Sequence, residues 1–127
     1  MNCIIVDDDE MARSSLKLLC EKISDLEIAE IFDNGIDAIH WLKNHSTDVI
    51  LLDIEMPDLT GMDLIKSVEN LPQIVFITGH TEYALEAFEH QVTDFVPKPV
   101  QYARLMKAID RVRELIDNVK NEEQNEI

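Results

Sequence analysis

Short apolar runs alternate with longer amphipathic stretches along the chain. The runs are Cys3-Ile4-Ile5-Val6, Ile28-Ala29-Glu30-Ile31-Phe32, Val49-Ile50-Leu51-Leu52, Ile74-Val75-Phe76-Ile77 and the shorter Phe95-Val96. Three are unbroken β-branched or Leu-rich runs, the mark of strands covered on both faces in a parallel sheet. The stretches between them carry helical spacing. Ala12, Leu16, Leu19, Cys20 and Ile23 form one stripe, and Ala38, Ile39 and Leu42 another. Leu105, Ala108, Ile109, Val112 and Ile116 form a third, with Arg104, Lys107, Arg111 and Arg113 off it. Gly61 opens a segment that runs to Val68 and is closed by Leu71-Pro72, and Thr81 or His80 is placed to cap a short helix through Phe88. The pattern predicts five βα units. Parallel strands need such crossovers, and right-handed crossovers put helices on both faces of the sheet.

From Asp117 to Ile127 the apolar pattern gives way to Asn, Glu and Gln. The last helix is expected to fray there, leaving a domain over 1–118 and a polar tail or linker start over 119–127. No internal repeat is visible. A length of 127 residues fits one domain, and an apolar content of 46% is enough for one core. Aromatics contribute only 6%, so aliphatic side chains must build that core. Against 26 acidic residues stand 11 Lys and Arg, a net charge of −15. So acidic a surface repels phosphate backbones and anionic lipid, so direct nucleic-acid or membrane binding by this chain is not expected. Cations and basic protein surfaces match it better. Cys3 and Cys20 make neither a disulfide framework nor a metal-ligand pair and read as reduced, buried thiols of a cytoplasmic protein. The first apolar run has no basic region before it, so no signal peptide is expected, and no run approaches the ~20 residues of a membrane span.

The acids fall at telling places. Asp7, Asp8 and Asp9 follow the first run directly, and Asp53 follows the third. Thr78 follows the fourth run, and Lys98, between Pro97 and Pro99, follows the fifth. In open α/β sheets ligands bind beyond the carboxyl ends of the strands, so one edge is expected to hold carboxylates, a hydroxyl and an ammonium. Taken singly, each group has a plainer role. Asp9 suits a helix N-cap, Asp53 a turn, and Lys98 a solvated surface. Two carboxylates at ~4 Å repel by about 4 kcal/mol at an effective dielectric near 20, so such a cluster raises a pKa or holds a cation. All-oxygen ligands suit Mg²⁺. A magnesium ion beside a lysine neutralises a transferring phosphoryl group. With three glycines and no Gly-rich loop, P-loop or Rossmann nucleotide binding is disfavoured, which leaves an Asp as covalent acceptor of a phosphoryl group from elsewhere.

Taken together, five pieces resemble the receiver domains of two-component response regulators. They are Ile4-Ile5-Val6-Asp7-Asp8, Asp48 to Pro57, Gly61, Ile77-Thr78 and Asp94-Phe95-Val96-Pro97-Lys98-Pro99. The resemblance covers residues 1 to about 118, and Tyr83 to Glu89 is most similar to receivers that precede LytTR-type DNA-binding domains. It implies a flavodoxin-like (βα)5 fold and a signalling role in place of conventional turnover. Asp53 would accept a phosphoryl group from a sensor histidine kinase. Asp8 would bind Mg²⁺ directly and Asp7 through water, with Asp53 and the backbone carbonyl of Glu55 completing the protein ligands. Lys98 would pair with the phosphoryl group and Thr78 would hydrogen-bond it. The Lys98–Pro99 bond would be cis. Thr78 and Phe95 would be the switch pair, reshaping the face made by the fourth helix, fifth strand and fifth helix. Phe95 has no hydroxyl, so its two states would differ in packing alone.

Other residues keep two readings. His80 with Glu55 either tunes phosphate lifetime or is a loop residue. His40, His45 and His90 fit no metal spacing. Trp41 reads as packing near the second helix. Tyr83 and Phe88 serve the core or a homodimer contact. Two rival functions stand beside the receiver. A pseudo-receiver would bind protein with its site unused. A Mg²⁺-dependent phosphatase of the haloacid dehalogenase kind would need an Asp and then a Thr or Val where Glu55 and Pro57 stand. A C-terminal DNA-binding output domain is compatible with the leading reading.

Overall fold

The structure, a computed structural model, describes residues 1–80, 82 and 92–125. Its strands are the apolar runs: β1 (Asn2–Val6), β2 (Glu27–Phe32), β3 (Val49–Leu52), β4 (Gln73–Thr78) and β5 (Asp94–Pro97). They pair in the order β2-β1-β3-β4-β5, every pair parallel. Among the described residues four helices connect or follow them. These are α1 (Glu10–Glu21), α2 (Gly35–Leu42), α3 (Gly61–Ser67) and a C-terminal helix over Tyr102–Asn125. The expected doubly covered α/β fold is therefore the one observed.

The unbroken apolar runs are explained by two cores, one on each face of the sheet. Cys3 and Ile5 of β1, with Leu51, Val75 and Ile77, pack under Leu16 and Cys20 of α1 and Leu105, Ile109 and Val112 of the C-terminal helix. Ile4, Val6, Ile50, Leu52 and Phe76 point the other way, against Ala38 of α2 and Leu64 and Ile65 of α3. Successive strand residues face opposite sides, so both parities must be apolar. β2, an edge strand, is only partly buried and carries Glu27 and Glu30, charges that discourage pairing with a further strand. Trp41 lies in α2 and meets Phe32 edge-on while stacking on His45, as a packing residue would. Cys3 and Cys20 are buried free thiols, and a hydrogen bond with Cys3 together with burial raises the pKa of Cys20.

Helix starts follow local chemistry. Asp9 caps α1 by accepting from the Ala12 amide, and Asn34 caps α2 by accepting from that of Asp37. Thr60 and Asp63 form a capping box on α3 that the sequence reading, fixed on Gly61, did not anticipate. Gly61 is required for a different reason: its amide donates to Ile54 O at 2.7 Å, and a Cβ there would lie 2.7 Å from Asp53 O and 3.0 Å from Ile54 Cα. Both are backbone atoms that cannot step aside. Gly61→Ala is thus expected to destabilise the domain by about 1–3 kcal/mol, lowering the melting temperature by roughly 5–15 °C. A wild-type melting temperature in that variant would contradict the packing.

One expectation fails. The last helix does not fray at Asp117 but continues to Asn125. Leu115, Ile116 and Val119 keep an apolar stripe through that region, Ile116 packs on the core, and Lys, Glu and Gln are good helix formers. The helix expected through Phe88, with Thr81, Tyr83, Ala87, Phe88 and His90, lies outside the described residues. No described helix is long and apolar enough to cross a membrane.

Candidate functional site

Strand register brings the acids together. Val6 pairs with Leu52, so the residues that follow, Asp7 and Asp53, leave adjacent strands side by side. The Asp53 amide donates to Val6 O at 2.9 Å, which carries the ladder one step beyond the apolar run. On the far side Thr78 pairs with Pro97, and the Lys98 amide donates to Thr78 O at 2.9 Å. The Lys98–Pro99 bond is cis, as the resemblance implied.

The side chains converge. Carboxylate oxygens of Asp7, Asp8 and Asp53 lie within 4.8 Å of one another. At that separation two unit charges repel by about 3.5 kcal/mol at an effective dielectric near 20. Lys98 answers them: its Nζ is 2.8 Å from Asp7 Oδ2 and 3.5 Å from Asp53 Oδ2. The shorter contact is to Asp7, a preference the sequence did not reveal. Asp7 and Asp53 are buried, while Asp8 is exposed. Burial and the neighbouring Asp7 charge push the Asp53 carboxyl up to about 6, although Lys98 and the Glu55 amide pull the other way. Burial alone would lower the Lys98 pKa, but its hydrogen bond to Asp7 and the charges of Asp53 and Asp7 leave it raised, and the ammonium stays charged. Three carboxylates at a strand edge, open through Asp8, form an oxygen-only donor set that fits a hard divalent ion such as Mg²⁺.

Thr78 is fully buried, and its Oγ1 accepts from the His80 amide at 3.1 Å. Glu55 and His80 meet directly, Nε2 to Oε2 at 2.8 Å, with His80 Nδ1 3.2 Å from Glu82 Oε1. Phe95 is partly buried against the α2–α3 side of the core.

A protein-family model for the response regulator receiver domain matches residues 3–110. The chain belongs to the response regulator receiver domain family. Over 113 residues it is 37% identical to the transcriptional regulatory protein BtsR of Shigella flexneri, covering 87% of this chain and 47% of that protein. An uncharacterized response regulatory protein of Yersinia pestis is 38% identical over 124 residues, 95% of this chain and 51% of the other. The receiver thus spans about half the length of the curated relatives it matches. The crystal structure of the response regulatory domain of mrkE from Klebsiella pneumoniae superposes with a TM-score of 0.84 at 35% identity, covering 93% of this chain and 99% of that one.

The receiver holds one feature that the sequence reading passed over. Arg104, read as an off-stripe helix residue, forms a two-pronged pair with Asp94 at 2.9 and 2.8 Å and donates to Phe95 O at 2.8 Å. Arg111 adds a looser contact at 3.7 Å. Against the upward push of burial, these bonds hold the Asp94 carboxyl below its ordinary range. The sequence offered Asp94 inside a recognised motif, but nothing in it said which of four nearby basic residues would reach back across the turn.

Proposed function

We propose that this receiver accepts a phosphoryl group on Asp53 from a sensor histidine kinase, with Mg²⁺, and that the modified site acts on a partner or output domain. The observation that carries this reading is the Lys98 ammonium set between Asp7 and Asp53, with Asp8 at the same strand edge. An ionised Asp53 oxygen attacks the phosphorus of a phosphohistidine. The O–P bond forms, the P–N bond breaks, and the imidazole leaves with a proton. Lys98 then turns from carboxylate to phosphoryl oxygen, and the Thr78 hydroxyl donates a hydrogen bond to another. Asp7, Asp8, Asp53 and the Glu55 carbonyl are the residues that would hold Mg²⁺. When bound, the ion supplies positive charge that offsets both the carboxylates and the transferring group.

The switch is proposed to run through Thr78 and Phe95. Arg104 of the C-terminal helix pairs with Asp94 and donates to the Phe95 carbonyl, so a backbone shift at Phe95 reaches that helix. The Glu55–His80 contact supports a role for this pair in setting the phosphate lifetime. We extend the reading to a cytoplasmic receiver unit over 1–118 and a segment at 119–127 that leads toward a LytTR-type DNA-binding output. A homodimer through the fourth-helix, fifth-strand and fifth-helix face belongs to the same proposal. The test is exposure of the protein to a small phosphoramidate with Mg²⁺, followed by intact-mass spectrometry. One hydroxylamine-labile phosphoryl group on Asp53 is expected. Absence of any adduct would favour the pseudo-receiver, and turnover of generic phosphoesters the phosphatase.

A further inference from the structure

Asp7 is gripped from every side. Its amide donates to Phe32 O at 3.1 Å, its Oδ1 accepts from the Asp9 amide at 2.9 Å, and its Oδ2 meets Lys98 Nζ at 2.8 Å. The fourth grip is on its carbonyl, which accepts from Arg13 Nη1 at 2.9 Å. That carbonyl belongs to the peptide between Asp7 and Asp8. Fixing it sets the plane from which Asp8 leaves the strand tip. Asp8 is exposed, so the aim of its carboxylate depends on its backbone more than on packing. Arg13 is half-buried at the end of the first turn of α1, and it joins that helix to the tip of β1 across six residues.

We infer that Arg13 is a positioning residue for divalent-cation binding, acting by holding the Asp7–Asp8 peptide so that both carboxylates face one ion. The inference rests on the Mg²⁺ reading above. It also makes a prediction of opposite sign to simple electrostatics. Removing a cation near an acidic cluster deepens the negative potential, and on charge alone Mg²⁺ would bind more tightly. Removing a positioning contact does the reverse, because groups that orient metal ligands typically contribute tenfold or more to affinity.

Mg²⁺ is titrated into the wild-type chain and followed through the backbone amide resonances of Asp8 and Asp9. Arg13→Met, which keeps the aliphatic stem and loses the donors, is expected to weaken Mg²⁺ binding by on the order of tenfold. Arg13→Lys can still donate to the carbonyl and should recover most of that loss. Lys17→Met removes the same charge one turn along the exposed side of α1 and should bind Mg²⁺ as tightly as wild type or slightly more so. Melting curves without the ion identify a variant that fails to fold. If Arg13→Met is such a variant, Arg13→Gln, too short to span to the carbonyl, takes its place with the same loss expected. Binding by Arg13→Met at wild-type affinity or tighter would overturn the inference and leave the Mg²⁺ site standing. A wild-type chain with no saturable Mg²⁺ binding would overturn that reading and this one together.

Discussion

Asp53→Asn is expected to abolish phosphoryl acceptance, with labelling by a small phosphoramidate in the presence of Mg²⁺ falling by more than about 100-fold. An amide oxygen is a far poorer nucleophile than a carboxylate, and no other described acid shares the Asp53 position. Asp7 is already committed to Lys98 at 2.8 Å and to the Asp9 amide, and Asp8 leaves the strand one residue further on. The fold should survive, because Asn matches Asp in shape and the ladder bond from the Asp53 amide to Val6 O involves only backbone. Mass spectrometry of the intact protein reads the result. Labelling of the variant at the wild-type rate would move the acceptor elsewhere.

The second large effect is on stability. Without a divalent ion, the Asp53 carboxyl titrates at about 6, raised from 3.8 chiefly by burial and by the Asp7 charge. A carboxyl whose pKa is higher folded than unfolded favours the fold below its unfolded value. That contribution is lost as pH rises through the folded value. Asp53 therefore costs stability progressively between pH 4 and 6 and no further above about 7. With screening by the water that reaches this half-open site, the cost is about 1–2 kcal/mol. Asp94 has the opposite sign: its pKa is lowered, so its contribution is present at neutral pH and fades as pH falls. The difference in melting temperature between Asp53→Asn and wild type isolates Asp53 from that background. It should be near zero at pH 4 and reach several degrees in favour of the variant by pH 7. Millimolar Mg²⁺ should raise the wild-type melting temperature and shrink the gap, because binding to the native state stabilises it and favours the ionised carboxylate. A gap that is flat across this pH range, or a wild-type curve indifferent to Mg²⁺, would mean that the carboxylates do not interact as the distances require.

Much of this site was legible because of where strands end. An apolar run that stops abruptly at an acid announces both the last ladder position and the group delivered beyond it, as with Val6 before Asp7 and Leu52 before Asp53. In a parallel sheet the carboxyl ends share an edge, so the shared location of Asp7, Asp53, Thr78 and Lys98 followed from the pattern and was met by the register. Asp9 as an N-cap was legible for a similar reason, since capping is decided within four residues. The end of the last helix is not legible in the same way. Loss of apolar residues after Asp117 reads as fraying only if burial is what holds a helix, and here good helix formers continue the backbone bonds to Asn125.

Local pattern was enough to settle what depends on neighbours in sequence: which runs are strands, that both faces of the sheet are covered, and which acids and which lysine arrive at its carboxyl edge. Side-chain partners chosen among several candidates of the same charge were settled only by packing in three dimensions. Lys98 rests nearer to Asp7 than to Asp53, Arg104 reaches Asp94 where Lys107 does not, and Arg13 takes the Asp7 carbonyl. Such choices turn on distances of an ångström or less between elements brought together by folding, and periodicity along a chain carries no information at that scale.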